Sequence, residues 1–275
     1  SVADIKANAV QSFKSQSKLS TAKDFEVFIQ TRFGEVISDI KVLSNKDFID
    51  GYLTYIENTV ISDSPAFESR LLYNHAQFST TSTFNNIYVF AKPRAEKKTS
   101  KNISISFLSD AQKNAVSNST KAYRSITTEV VLVDPVYIAL DFGIQLPGET
   151  LTEKNINTTQ LIVKKDPYSV KNVAGIRQSI LQLITSTFDI SNINLGAGIS
   201  ISSLIEGIAS IEGVASFKMS RADEQYTFNG LSFLAWNPVY PDNDIQIIRQ
   251  DITLEDFKAP YIFDSIAMLN NIIVE

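Results

Sequence analysis

The sequence predicts an α+β fold: a split βαβ sandwich, with helices on one face of a mainly antiparallel sheet, a smaller N-terminal α/β unit and a strand-rich C-terminal extension. Three observations carry this expectation. From Val136 to Leu146 every second residue is large and apolar (Val136, Ile138, Leu140, Phe142, Ile144, Leu146), the period of a strand with one buried face. Several other stretches repeat apolar residues at helical spacing and begin with Ser or Thr, the residues that cap helix N-termini. Between residues 86 and 220 the two patterns alternate as strand, helix, strand, strand, helix, helix, strand, the order of a split βαβ unit.

Taken in order, Val2, Ile5, Ala9 and Phe13 share one helical face. Thr21 is placed to cap a helix whose apolar side is Ala22, Phe25, Phe28, Ile29 and Phe33, with Gly34 to end it. Residues 36–43 read as a strand. Asp50-Gly51 reads as a turn before a strand over 52–61, and a polar tract ends this first unit, residues 1–83. The central unit, 84–220, opens with the strand IYVFAK, closed by Pro93. A helix follows from Ser109, with Leu108, Ala111, Ala115, Ser119, Ala122, Tyr123 and Ile126 in one stripe. Residues 129–133 and 136–146 are expected to be neighbouring strands of one sheet, broken by Asp134-Pro135 because Pro has no amide hydrogen for the ladder. Ser169 begins a long helix buried through Val173, Ile176, Ile180, Leu181, Ile184 and Phe188. After the LGAG turn, Ser203 and Glu206 stand at capping-box spacing, Gly213 ends that helix, and VASFKMS is a strand. In the extension, 221–275, strands are expected over 231–236 and 245–252, and the apolar residues from Phe257 onward show little periodicity.

Composition narrows the chemistry. The 275 residues include no cysteine and one histidine, His75, so disulfides, thiolate nucleophiles and multi-histidine metal sites are excluded. A net charge of −5 gives no global attraction to nucleic acid, and no apolar run reaches the ~18 residues of a membrane span, so neither nucleic acid nor membrane insertion is expected. The opening SVADIKANAV lacks a signal-peptide layout, and its start at Ser within a helical pattern reads as a processed or excised piece of a longer chain.

No motif assembles a catalytic centre. Gly196-Ala197-Gly198 lacks the third glycine and the lysine of a phosphate loop and reads as a turn; Asp242 and Asp244 lack further cation ligands. His75 has no nucleophile pattern near it, and the basic run Lys92, Arg94, Lys97, Lys98 and Lys101 reads as an exposed loop. No catalytic residue, cofactor or metal is expected. Aromatic crowding in the last fifty residues singles out Phe233, Trp236, Tyr240, Tyr261 and Phe263 as candidate interface anchors, with core packing as the equal alternative.

The phrases also carry a resemblance. IKANAVQSFKSQSKLSTAKDFEVFIQTRFGEVISDIKVLS, with Thr21, Asp24 and Phe25 in the capped-helix positions, resembles the start of the baseplate J-like module of contractile-tailed bacteriophages. The succession NNIYVFAKPR, LSDAQKNAV, TTEVVLVDPVYIALDFGIQL, the helix after Ser169 and IEGVASFKM is similar to wedge proteins of T-even-type baseplates, whose carboxyl-terminal part helps build the inner baseplate ring. The resemblance implies a non-enzymatic virion subunit, assembled in the host cytoplasm, that forms a homodimer or ring and binds other wedge proteins. Residues 45–83 and the chain beyond Arg221 depart from the common module. The other reading is a carboxylate-based glycan hydrolase of a phage tail, which requires two acids lining a cleft.

Overall fold

The computed structural model describes residues 18–56, 85–94, 105–145, 159–221, 226–239 and 245–275. The expectation of a helix over residues 2–13 lies outside them. The fold is α+β, with three mixed sheets and a strand-rich C-terminal part. It divides into two compact units that are interleaved along the chain. The described residues of Ser1–Glu96, Ser106–Pro135 and Glu255–Phe257 form the first; those of Lys97–Ile105, Val136–Leu254 and Lys258–Glu275 form the second.

In the first unit, α1 (Ala22–Phe33) starts with a reciprocal capping box: the Asp24 amide donates to the Thr21 hydroxyl and the Thr21 amide to the Asp24 carboxylate, at 3.2 and 2.8 Å. Its buried face, Phe25 and Ile29, packs on β1 (Ile37–Ser44), which pairs antiparallel with β2 (Asn86–Pro93). Up to residue 56, where the described part of this connection ends, the chain does not form the expected turn and strand. Residues Asn45–Asp47 are helical and Phe48–Leu53 is a π-helix containing Asp50-Gly51, which stacks Phe48 on Tyr88 with ring centres 3.6 Å apart. β2 then pairs parallel with β3 (Glu129–Val133), giving the sheet order β1-β2-β3. The helix between them, α2 (Asp110–Thr120), is capped by Ser109 as expected but is shorter and rotated. It buries Val116 and Thr120, leaves Ala111 and Ala115 in solvent, and ends six residues before the fully exposed Ile126.

The second unit begins at β4 (Val136–Phe142), and here the sequence reading is corrected. β3 and β4 are not neighbours: they lie in different sheets and different units, with Asp134-Pro135 at the crossing. β4 is flanked instead by β10 (Lys258–Ile262), parallel, and β8 (Phe233–Trp236), antiparallel; β9 (Gln246–Ile248) completes that sheet beyond β8. A central strand is covered on both faces, so all seven β4 residues are buried. The third sheet has the order β11-β5-β6-β7, from Ile272–Val274, Thr159–Lys165, Val214–Arg221 and Thr227–Phe228. Its helices are α3 (Val173–Thr187), α4 (Ile201–Ala209) and α5 (Ser265–Asn270). α3 is capped by Asn172 and α4 by Ser200, each three residues from the serine expected from sequence; Ser169 instead accepts from the Lys171 amide in a turn. The chain beyond Arg221 supplies β7 to β11 and α5, so both four-stranded sheets are completed by it.

Candidate interaction surface

The five expected anchors fall into three situations. Phe233 and Trp236 alternate across β8, and both are sealed inside the second unit. Phe233 packs between Phe142 and Phe188 at ring-centre distances of 5.9 Å to each, on one face of the sheet. Trp236 lies on the opposite face, in register with Ala139, where Tyr261 is also buried, edge-on to Tyr137 at 6.3 Å. Phe263 stands at the rim, 44% exposed, with its ring 5.1 Å from that of Trp236. Tyr240 lies outside the described residues. Aromatic crowding in this tail therefore builds sheet interior at three positions and leaves one, Phe263, in contact with solvent.

Exposed apolar side chains that the sequence did not single out are found elsewhere. Tyr168 and Val170 are 91% and 95% exposed on the turn between β5 and α3. That turn is held by its own hydrogen bonds: the Tyr168 amide donates to the Asp166 carboxylate at 3.0 Å, the Ser169 amide to the Asp166 carbonyl at 3.1 Å and the Lys171 amide to the Ser169 hydroxyl at 3.2 Å. On the first unit, Arg32 lies over the rings of Phe28 and Tyr123, 4.3 and 4.9 Å from their centres, and donates to the Tyr123 hydroxyl at 2.9 Å. The turn's backbone is held while the Tyr168 and Val170 side chains stay in solvent, and Arg32 is held against its two rings.

The chemically active-looking groups of the sequence are placed as follows. Lys92 is buried in β2, and the Arg94 guanidinium donates to the Gly34 carbonyl at 2.7 Å, so the first two members of the basic run belong to the first unit's own packing. Lys97, Lys98, Lys101, His75, Asp242 and Asp244 lie outside the described residues. Gly196 adopts φ 72° in a turn whose amide donates to the Lys258 carbonyl at 2.8 Å. Asp134 takes an ion pair from Lys113 at 2.8 Å, in the role of a fastened turn residue. Among the described residues no three or more His, Asp or Glu side chains gather as a metal site, and no helix is long and apolar enough to cross a membrane.

One ionisable group was missed. Asp141, in the middle of β4, is 1% exposed, and its Oδ1 accepts from the Phe142 amide at 2.7 Å. Burial pushes its carboxyl up to about 7, against the pull of that amide and with a smaller push from the charge of Asp264. Its neighbours on the same face, Tyr137, Ala139 and Gly143, carry no charge, and that absence marks the face as a second buried one.

No family model and no curated protein matches the chain. Among solved structures the chain is similar to a chain in the cryo-EM structure of the anti-feeding prophage (AFP) baseplate, 6-fold symmetrised, at 12% identity with a TM-score of 0.45. That similarity covers 96% of this chain and 42% of the other, so this chain spans less than half the length of its structural neighbour.

Proposed function

We propose that the chain is a structural part of a contractile-tail baseplate, a wedge component that contributes to the inner baseplate ring by self-association and by binding other wedge proteins. The observation that carries this reading is the correspondence between the baseplate-like phrases and the folded elements. Thr21, Asp24 and Phe25 form the capped, buried start of α1; NNIYVFAKPR is β2; LSDAQKNAV opens α2; TTEVVLVDPVYIALDFGIQL holds β3 and β4; IEGVASFKM leads into β6. Each phrase marks a place where the fold depends on local sequence, and they follow one another in the order the resemblance requires. Work of this kind needs rigid bodies and repeated contacts, either heterologous around a ring or alternately two-fold.

The hydrolase reading receives less support. An acid pair must face a cleft. Here the carboxyl group with the raised pKa is sealed in a sheet, and Asp264 is engaged as a helix cap through the Ile266 and Ala267 amides. The proposal places the protein in the virion tail after assembly in the host cytoplasm. Its test is to isolate contractile particles from cells that make the protein and to locate it by quantitative mass spectrometry and antibody-gold electron microscopy. A stoichiometric component at the sheath's distal end is expected. Absence from the particles, or label along the sheath, refutes the proposal.

A further inference from the structure

The first sheet is covered on two faces. On one, Phe25 and Ile29 of α1 share a core with Ile40, Val42, Val89 and Ala91. Lys41 and Phe90 lie between those strand residues, stand opposite each other in register, and so belong to the other face. The π-helix covers that second face: the Tyr52 ring stands 5.2 Å from Phe90, and Phe48 is stacked on Tyr88. π-Helices are rare and short. This one also contains Gly51, the residue type that loses most backbone freedom on ordering, so its place depends on what packs against it.

Part of that packing comes from far along the chain. Glu255–Phe257 belongs to the first unit, while Leu254 before it and Lys258 after it belong to the second. Phe257 is 2% exposed, with its ring centre 5.3 Å from that of Tyr52, edge-on, and 5.7 Å from those of Tyr55 and Phe90. Its neighbour Asp256 pairs with Lys41 at 3.4 Å, both side chains partly in solvent. Two consecutive residues therefore lie across β1 and β2 on the face away from α1, one through an ion pair and one through a ring. On either side the chain is fastened within the second unit. Ile199 and Ile252 exchange amide-to-carbonyl bonds at 2.9 and 3.0 Å, and the Lys258 carbonyl accepts from the Gly196 amide at 2.8 Å. Glu255 and Asp256 are exposed, so Phe257 supplies the buried grip.

We infer that Glu255–Phe257 is a strap that holds the π-helix closed over the second face of the first sheet, and that its release uncovers the rings of Phe48, Tyr52, Tyr55 and Phe90 without unfolding the face packed on α1. This goes beyond the proposed baseplate role and does not depend on it. A grip of one buried ring and one solvated ion pair is small beside the core on the α1 side, and a segment held in this way opens before the whole unit does. Withdrawn, the strap turns covered rings into aromatic surface of the kind that protein interfaces bury.

The test is amide hydrogen exchange on the full chain. In wild type at low urea, the amides of Phe48–Leu53 should exchange through an opening with a smaller urea slope than those of α1, because less surface is exposed in it. Phe257→Asp places a charge among the rings and withdraws the strap. Protection at Phe48–Leu53 is then expected to fall by about a hundredfold or more, the loss that follows deletion of a buried Phe, while the α1 amides stay protected. Equal urea slopes in wild type overturn the strap. So does a Phe257→Asp chain that keeps its protection at Phe48–Leu53, or one that loses it along α1 as well.

Discussion

Replacing Gly143 with Ala isolates one close approach in the second unit. A Cβ at this position would stand 2.5 Å from Leu234 Cβ and 2.9 Å from the Leu234 amide nitrogen, contacts that only a backbone shift relieves. The site cannot relax outward, because Leu234 and Ser232 are both buried and Gly143 exchanges two hydrogen bonds with Ser232, at 3.3 and 2.6 Å. Overpacking of this kind costs about 1–3 kcal/mol. Weakening the Ser232 bonds adds about 1 kcal/mol, and the lower chain entropy of unfolded Ala returns about 0.4–1 kcal/mol. The expected net loss is about 1–4 kcal/mol, on the sum of those terms. Gly207→Ala is the matched control. There the new Cβ would meet the Leu183 Cδ2, the end of a flexible side chain, at 2.8 Å, and the helical position gains about 0.8–1 kcal/mol of propensity. Urea unfolding followed by a probe in the second unit should show a lower midpoint at unchanged slope for Gly143→Ala and a near-native midpoint for Gly207→Ala. A Gly143→Ala protein within about 0.5 kcal/mol of wild type, the scatter of neutral surface changes, refutes the steric argument.

Trp236→Ala should cost about 3–5 kcal/mol as a buried aromatic deletion, whereas the half-exposed Phe263→Ala should cost less than half as much; equal losses in thermal unfolding would contradict the assigned burial. Thr21→Val should lose about 1 kcal/mol by removing one arm of the capping box, read as a lower unfolding midpoint. Partial burial opposes ionisation of Asp24, but the Thr21 amide and hydroxyl and the Ser20 amide outweigh it and hold the carboxyl below its ordinary value. Its stabilisation is therefore present above the ordinary carboxylate range and lost as pH falls through the lowered value, so wild type and Asp24→Asn should differ at neutral pH and converge in strong acid. Asp134→Ala should change stability by less than about 1 kcal/mol, since the ion pair with Lys113 is partly solvated.

What the sequence disclosed followed the range of the signal. The Thr21 cap, the β1 and β2 strands and β6 are written in residues within a few positions of one another, and all four are found where those residues lie, whereas the helix expected to run to Gly213 ends at Ala209 with Ser210 as its C-cap. The partners of β4 are β8 and β10, about a hundred residues downstream, and periodicity shows which faces a strand has without showing what lies beside it. The same limit hid Asp141. Alternation suggested one wet face, and the polar residue on it looked solvated until β8 and β10 enclosed that face as well. It also left Phe233, Trp236 and Tyr261 undecided, because aromatic residues crowd equally into cores and interfaces; only the pairing of β8 and β10 with β4 settles those three as interior.

The treatment of sheet edges bears on how the folded chain avoids aggregating. An exposed edge strand offers free amides and carbonyls to any passing chain. On β1, the edge of the first sheet, the Val42 amide donates to the Glu26 carboxylate at 3.2 Å and the Ile37 carbonyl accepts from Gln30 at 3.5 Å, both from α1. On β3, the opposite edge, the Val130 carbonyl accepts from the Ser117 hydroxyl of α2 at 3.1 Å. In the second unit, β10 carries Pro260, which has no amide to donate, and its Lys258 carbonyl is taken by Gly196. Helix side chains and a proline thus occupy edge positions that a neighbouring copy would otherwise pair with. Non-specific strand addition is discouraged at these edges. Glu26→Ala and Ser117→Ala, which strip the covers from β1 and β3 at small cost to folding, should raise concentration-dependent light scattering, whereas Tyr168→Ala, which removes an exposed side chain away from those two strands, should leave it no higher than wild type. Edge variants that scatter no more than wild type would show that the covering side chains are dispensable and that another feature keeps the edges apart.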